Sequence, residues 1–166
     1  ISQVGFTSWF GFPIYEPRKL VTSGFQGNLG HGFQTALGVK VGNPDKAVIS
    51  LAGDGGIMFG IQELASAVQH QIGLVTIIFN NNAFGNVRRD QINLFDGNDY
   101  ASELINPDFV KLAESFGATA YRVKTPAELK VTLEKALSEK GPQVIEVPIE
   151  RGSETSPWKY IMPTGY

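Results

Sequence analysis

The chain alternates between short apolar runs and longer stretches in which apolar residues recur every three or four positions. The runs at residues 47–51 and 74–79 are apolar almost throughout, which is typical of strands buried on both faces of a parallel sheet. A third run, at 144–147, has the same β-branched character. Residues 19–22 and 118–123 are weaker strand candidates.

Helical spacing fills the intervals between these strands. Apolar residues from Ile57 to Ile72 define one face of a helix of about four turns, so this helix and the two strands beside it form a βαβ unit. Start and stop signals predict three further helices, at 29–41, at 108–116 and between Thr125-Pro126 and Gly141-Pro142. This order predicts an α/β fold, a three-layer α/β/α, doubly wound domain with a mostly parallel sheet.

The length of 166 residues fits one domain, 1–166, with a substantial core. Residues 1–18 are expected to be a linker from a preceding domain, and 152–166 a C-terminal tail whose Trp158 packs on a neighbouring domain or subunit. The aromatic, glycine-rich beginning suggests a fragment, a processed chain or one part of a larger enzyme. Residues 86–104 lack a clear period and are expected to form a loop that covers a functional site.

Charge and cysteine content exclude several classes of protein. The 14 basic and 16 acidic residues leave a net charge of −2, which gives no electrostatic attraction for nucleic acid or an anionic membrane. No apolar run reaches the roughly 18 residues that span a bilayer. The absence of cysteine excludes disulfides, thiolate zinc sites and cysteine-bound iron–sulfur clusters. We expect a cytoplasmic protein that acts on a small molecule.

Polar residues follow the first two strong strands at the point where each strand ends. Gly53-Asp54-Gly55 comes after one strand and Asn80-Asn81-Asn82 after the next, and open α/β sheets bind ligands at that edge. A carboxylate, a carboxamide oxygen and a main-chain carbonyl, completed by phosphate oxygens and water, form the all-oxygen octahedron that Mg²⁺ prefers. The glycines and a helix beginning near Ile57 offer backbone N–H groups to a diphosphate. The alternative is a tight turn, with asparagines that only satisfy backbone groups at a strand end.

This pair of motifs resembles the cofactor motif of thiamine diphosphate-dependent enzymes. Four more segments are similar to the C-terminal diphosphate-binding (PP) domain of acetolactate synthase-like members: Ser23-Gly24, Gly27-Asn28-Leu29-Gly30, Gln62-Glu63-Leu64 and Asn106-Pro107-Asp108-Phe109. The resemblance covers nearly the whole chain from about Pro17 onward. It implies the thiamine diphosphate-binding fold, with thiamine diphosphate and Mg²⁺ as cofactors.

The resemblance also implies roles for individual residues. Asp54 and Asn81 would be side-chain ligands of Mg²⁺, and Ala83 would supply a main-chain carbonyl ligand. Leu29 would support the bent cofactor, with the carbonyl of Gly27 beside the aminopyrimidine ring. The full set of candidate cofactor-binding residues is Gly27, Leu29, Gly53, Asp54, Gly55, Gly56, Asn81, Ala83, Phe84 and Gly85.

The activity implied by the resemblance is that of a 2-oxo acid carboligase or decarboxylase. In the family, the glutamate that activates the cofactor ring lies on a separate pyrimidine-binding domain, so no catalytic residue is assigned to this chain. We expect the chain to be inactive alone and to work in a homo- or hetero-oligomer. One alternative is the β subunit of a 2-oxo acid:ferredoxin oxidoreductase, against which the absence of cysteine counts. Another is a cofactor-binding or assembly module without activity.

A few other residues have two interpretations. Phe84, Asn86 and Val87 follow the candidate metal ligand Ala83, and one interpretation is that they line the substrate pocket. The alternative for Phe84 and Val87, the two apolar residues, is that they belong to the core. His31 either contacts the site or makes a hydrogen bond at a helix end. Glu63 is interpreted as a structural helix residue, His70 as solvent-facing, and the pair Arg88-Arg89 as a surface pair.

Overall fold

The computed structural model describes residues 2–24 and 26–154. Four parallel strands form one sheet in the order β1-β2-β4-β3. They are β1 (Ile49–Gly53), β2 (Val75–Asn80), β3 (Thr119–Arg122) and β4 (Gln143–Pro148). The four corresponding strand predictions are confirmed to within two residues at each end. The fifth, at 19–22, is wrong, because that mostly exposed stretch has no strand to pair with, and β-branched residues alone do not form a strand.

Helices lie before, between and after these strands. They are α1 (Gln3–Gly11), α2 (His31–Gly42), α3 (Asp54–Ile57), α4 (Leu64–Gln69), α5 (Gly85–Leu94), α6 (Phe109–Phe116) and α7 (Pro126–Ser138), with a turn of 3₁₀ helix at Ile61–Glu63. Helix α1 lies in the stretch expected as a linker and packs against β1. None of the helices in the described ranges is long and apolar enough to cross a membrane. Trp158 of the predicted tail lies outside the described residues.

The two later helices begin where their sequence signals predict. Asp108 precedes α6 and accepts hydrogen bonds from the N–H groups of Val110 and Lys111. Thr125 precedes α7 and accepts a hydrogen bond from the N–H of Glu128. These side chains satisfy N–H groups that have no partner inside their own helix.

Two apolar cores lie on opposite faces of the sheet. Ile78 of β2 packs in the core that contains Leu64 and Phe109, whereas its neighbour Ile77 packs in the core that contains Ala136. Helices α2, α4 and α6 therefore cover one face, and α7 covers the other. This arrangement confirms the predicted α/β/α layers. It also explains why the sequence of β2, which is buried on both faces, is a continuous apolar run.

The helix predicted for residues 57–72 is interrupted, so the prediction of one continuous helix is wrong. Helix α3 begins at Asp54 and is only four residues long. Gly60 has φ −159° and ψ 11°, outside the helical region. A Cβ at Gly60 would overlap the side chain of Gln34 on α2, so the break allows these two segments to pack closely.

The loop predicted for residues 86–104 is wrong over its first half, where α5 forms. No residue of α5 is fully buried, so the helix lacks the apolar stripe by which a helix is recognised in sequence. Arg88 on α5 forms a salt bridge of 2.7 Å with Asp99 in the irregular segment that follows. This contact holds the segment against the helix.

Candidate functional site

The candidate site lies where β1 and β2 end side by side. In their parallel register Gly53 is the partner of Phe79, so Asp54 and Asn80 follow at the same edge of the sheet. Asp54 begins α3 and is only 3% exposed. The chain therefore buries a carboxyl group at the carboxyl ends of two neighbouring strands, the position at which α/β sheets bind ligands.

A cleft of about 360 Å³ opens beside these strand ends. All ten candidate cofactor-binding residues line it: Gly27, Leu29, Gly53, Asp54, Gly55, Gly56, Asn81, Ala83, Phe84 and Gly85. Asn86 and Val87 line it as well, and Val87 is 51% exposed and so is not a core residue. The same cleft is lined by Ser2, Gln3, Val4 and Phe6 from the α1 region, which the sequence did not indicate.

Two donors, the side chain of Asn106 and the N–H of Ala83, converge on the same oxygen of Asp54. Its Oδ2 accepts hydrogen bonds from Nδ2 of Asn106 at 2.7 Å and from the N–H of Ala83 at 3.3 Å. Burial raises the pKa of Asp54 above its ordinary value, and the hydrogen bonds from Asn106 and from neighbouring backbone N–H groups act in the opposite direction. A divalent cation would offset the cost of burying this charge.

The loop after β2 presents the main chain of Ala83 to the site. Ala83 lies opposite Glu103 in an antiparallel bridge, in which the N–H of Phe84 donates to Ser102 and the N–H of Leu104 donates to Asn82. This bridge does not use the carbonyl of Ala83, as expected for a non-hydrogen-bonded pair. That carbonyl is therefore free of the pairing, and it is the one that the resemblance assigns to the metal.

Asn81 contacts both Ala83 and the segment after β4. Its Oδ1 accepts a hydrogen bond of 3.1 Å from the N–H of Ala83, and its Nδ2 donates to the carboxylate of Glu154. Arg151, from the same later segment, donates to the carbonyl of Asn82 at 2.9 Å and pairs with Glu103. The segment after β4 thus closes one side of the site.

Two glycine positions shape the cleft through close approach and backbone conformation. A Cβ at Gly55 would lie 2.6 Å from the ring of Phe84, so only glycine lets that ring pack on the turn after β1. Gly30 has φ +81° and precedes α2, which therefore begins at His31 and not at Leu29 as predicted. Leu29 lies in the turn before the helix, 39% exposed and lining the cleft.

Several other sequence-predicted residues have local roles. His31 contacts Thr35 Oγ1 one turn along α2. Glu63 accepts a hydrogen bond of 2.9 Å from Ser66, which agrees with a structural role, and His70 is exposed as expected. Arg89 pairs with Asp90.

Besides the residues of the α1 region, sequence reasoning missed three polar residues that hydrogen-bond to the groups at the strand ends: Asn106, Arg151 and Glu154. The available signal for Asn106 is its place in the motif Asn106-Pro107-Asp108-Phe109. Arg151 and Glu154 carried no signal, because they come from a segment about 70 positions after the asparagines that they contact.

The donor set at the site is mixed in chemical type. Among residues 2–24 and 26–154, no three His, Cys, Asp or Glu side chains cluster as a metal site. Instead, the buried carboxylate of Asp54, the carboxamide of Asn81 and the main chain of Ala83, whose carbonyl the bridge to Glu103 does not use, lie together beside glycine-rich backbone. Three oxygen donors leave positions for phosphate oxygens and water on a hard cation. Fold and cleft together define an α/β domain of the kind that binds a phosphorylated cofactor at its strand ends.

Comparison with known proteins identifies the family. Residues 1–147 match the family described as "Thiamine pyrophosphate enzyme, C-terminal TPP binding domain". The chain belongs to this family. It is 38% identical over 149 residues to the acetolactate synthase large subunit of Haemophilus influenzae, with 88% of this chain and 26% of the relative covered. It is 39% identical over 147 residues to the probable acetolactate synthase large subunit of Methanococcus aeolicus, with 87% and 24% covered.

A solved structure gives the same result for the fold. The thiamine diphosphate-dependent 4-hydroxybenzoylformate decarboxylase of Rhodococcus jostii RHA1 superposes with a TM-score of 0.70 and 36% sequence identity, covering 74% of this chain and 23% of that one. The chain therefore has the fold of the C-terminal thiamine diphosphate-binding domain of acetolactate synthase-like enzymes. It spans about a quarter of the length of these relatives.

Proposed function

We propose that this chain is the thiamine diphosphate- and Mg²⁺-binding part of an acetolactate synthase-like enzyme that decarboxylates a 2-oxo acid or joins it to a second carbonyl compound. When bound, thiamine diphosphate supplies the carbanion stabilisation that such chemistry requires. The residues of this chain bind the diphosphate end, orient the cofactor and keep the metal ligands in place. Asp54, Asn81 and the carbonyl of Ala83 are the proposed Mg²⁺ ligands.

One observation carries this proposal: the ten residues assigned from the resemblance line a single cleft, and the three proposed metal ligands are joined there by hydrogen bonds. The N–H of Ala83 contacts both Asp54 and Asn81, so their oxygens lie within a few ångströms of the same backbone group. The pairing of the Ala83 loop does not use the Ala83 carbonyl. This all-oxygen donor set fits Mg²⁺ with a diphosphate and does not fit a soft metal.

The rest of the proposal concerns groups that this chain does not supply. A pyrimidine-binding domain or subunit would provide the activating glutamate and the other half of the cofactor site, in a homo- or hetero-oligomer. Glu63, which is hydrogen-bonded to Ser66, is not proposed for that task. We include a cytoplasmic location in the proposal.

Calorimetric titration with thiamine diphosphate, with and without Mg²⁺, tests the metal assignment in the chain assembled with the domain or subunit that completes the cofactor site. The parent is expected to bind the cofactor in a Mg²⁺-dependent manner. Asp54→Ala removes the buried carboxylate and is expected to weaken binding by more than about 100-fold, beyond the 10–100-fold typical of a residue that only supports a ligand. Circular dichroism shows whether the variant keeps the parent fold.

Asp45→Ala is the matched control, because Asp45 is an exposed carboxylate in the turn before β1. This variant is expected to bind cofactor and metal as the parent does. If folded Asp54→Ala binds thiamine diphosphate as tightly as the parent in Mg²⁺, the metal assignment is wrong. If the parent shows no Mg²⁺-dependent binding, the proposed function itself fails.

A further inference from the structure

The side chain of Asn106 joins the ends of β1 and β2. Its Nδ2 lies 2.7 Å from Oδ2 of Asp54, 2.9 Å from Oδ1 of Asn80 and 3.3 Å from Oδ1 of Asn82. An amide nitrogen carries two hydrogens, so the two shortest contacts use both of them. One nitrogen atom therefore connects the buried carboxylate after β1 with the last residue of β2.

Asn106 belongs to a closed ring of polar contacts. Asn80 donates to Glu146 at 2.8 Å, Glu146 accepts from Arg122 at 2.8 Å, and Arg122 donates to Asp108 at 2.8 Å. Asp108 lies two positions after Asn106, so the chain itself completes the ring. Glu146 is 3% exposed, and this ring ties the loop before α6 to the interior of the sheet.

The ring fixes which end of each amide faces its neighbour. The carboxylate of Glu146, paired with Arg122, can only accept, so Asn80 must turn its NH₂ toward Glu146. Oδ1 of Asn80, which also accepts from the N–H of Asn82 at 3.1 Å, then faces Asn106, and because an amide oxygen can only accept, Asn106 must present its NH₂ to it. The second hydrogen of that NH₂ is directed at Asp54. The ion pair of Arg122 and Glu146 therefore sets the orientation of Asn106 through the amide of Asn80, which lies between them.

We propose that Asn106 is a positioning residue for the metal-binding carboxylate of Asp54: its NH₂, oriented by Asn80, Glu146 and Arg122, holds Oδ2 and leaves Oδ1 as the oxygen that binds the metal. The inference rests on the proposed function, because it assigns a role relative to the Mg²⁺ site. The N–H of Ala83 also donates to Oδ2. The two donors together restrict the rotation of the carboxylate about its own axis.

The test measures the Mg²⁺ concentration that half-saturates binding of thiamine diphosphate at fixed cofactor concentration. Asn106→Ala is expected to raise this concentration by about 10- to 100-fold, the usual effect of removing a partner of a metal ligand. Saturating Mg²⁺ is expected to restore cofactor binding to the parent level, because Asp54, Asn81 and Ala83 are all still present. Circular dichroism of the metal-free variant separates this effect from general damage to the fold, because metal that binds only the folded state can also refold a partly unfolded variant.

Asn98→Ala is the matched control, since Asn98 is exposed and donates only to the carbonyl of Phe95. It is expected to leave the half-saturating Mg²⁺ concentration unchanged. Asn106→Ser, which leaves a smaller gap, is measured in parallel, and the readout is taken from whichever variant keeps the circular dichroism spectrum of the parent.

Two outcomes are decisive, and they separate the inference from the proposed function. A folded Asn106 variant with the half-saturating Mg²⁺ concentration of the parent overturns the positioning role, while Mg²⁺-dependent binding by the parent still supports the function. A loss of cofactor binding that saturating Mg²⁺ does not restore also overturns it, because the residue would then act on the fold as a whole.

Discussion

Gly55→Ala tests how tightly the turn after β1 packs against the side chains of Phe84 and Leu104. An alanine Cβ would lie 2.6 Å from two ring atoms of Phe84 and 3.0 Å from Cδ1 of Leu104, inside the 3.4–4 Å of ordinary contact. Gly55 does not have a positive φ, so the effect is one of crowding and not of backbone strain. Forcing one extra carbon into a packed site costs about 1–3 kcal/mol. We expect a loss of stability in that range.

Urea unfolding followed by circular dichroism measures this loss. Gly38→Ala is the control, because Gly38 lies on α2 with nothing within 4 Å of its added Cβ, and alanine there should stabilise the helix by up to about 1 kcal/mol. In a double-mutant cycle, Gly55→Ala should cost less stability in the Phe84→Ala background than in the parent, since that background lacks the ring that collides. Unchanged unfolding of Gly55→Ala would refute the predicted crowding.

Two further predictions concern buried charge. Because burial raises the pKa of Asp54 above 3.8 in the folded protein, folding is increasingly opposed as the pH rises above 3.8, and this cost is complete once the pH exceeds the folded-state pKa. In the absence of cofactor, Asp54→Asn should therefore have a higher free energy of unfolding in urea than the parent at about pH 7. The difference between the two should shrink as the pH falls toward 3.8, and a difference that grows would contradict this. Arg122→Met leaves Glu146, 3% exposed, without its cation and should cost about 2–3 kcal/mol in urea unfolding, whereas exposed Lys130→Met should unfold as the parent does.

The pair of strand ends could be predicted because its signals are local. Each apolar strand is followed at once by its polar residue, and parallel strands bring such residues to one edge regardless of what the rest of the chain does. The family resemblance then assigned Leu29 and Ala83, which no periodicity would have indicated. All ten candidates line the same cleft.

The parts that the sequence did not reveal depend on distant contacts. The break at Gly60 follows from the position of Gln34 on another helix. Helix α5 could not be predicted because it buries no residue fully and so leaves no apolar pattern in the sequence. Asn106 contacts Asp54 across 52 positions, so its place in a sequence motif could not show that its side chain holds the carboxylate. Strand ends are fixed by local pattern, whereas their supporting side chains are fixed by tertiary packing.

The antiparallel bridge between Ala83 and Glu103 divides the segment after α5 into two parts with different freedom to change. Residues 95–101 are exposed, and exposed loop tips are where proteins accept insertions. Residues 102–104 are in register with the loop after β2, so deleting one of them would shift the pairing that places the main chain of Ala83 beside the cleft. Insertions or tags in this domain should therefore be placed within residues 95–101, and residues 102–104 should be left intact.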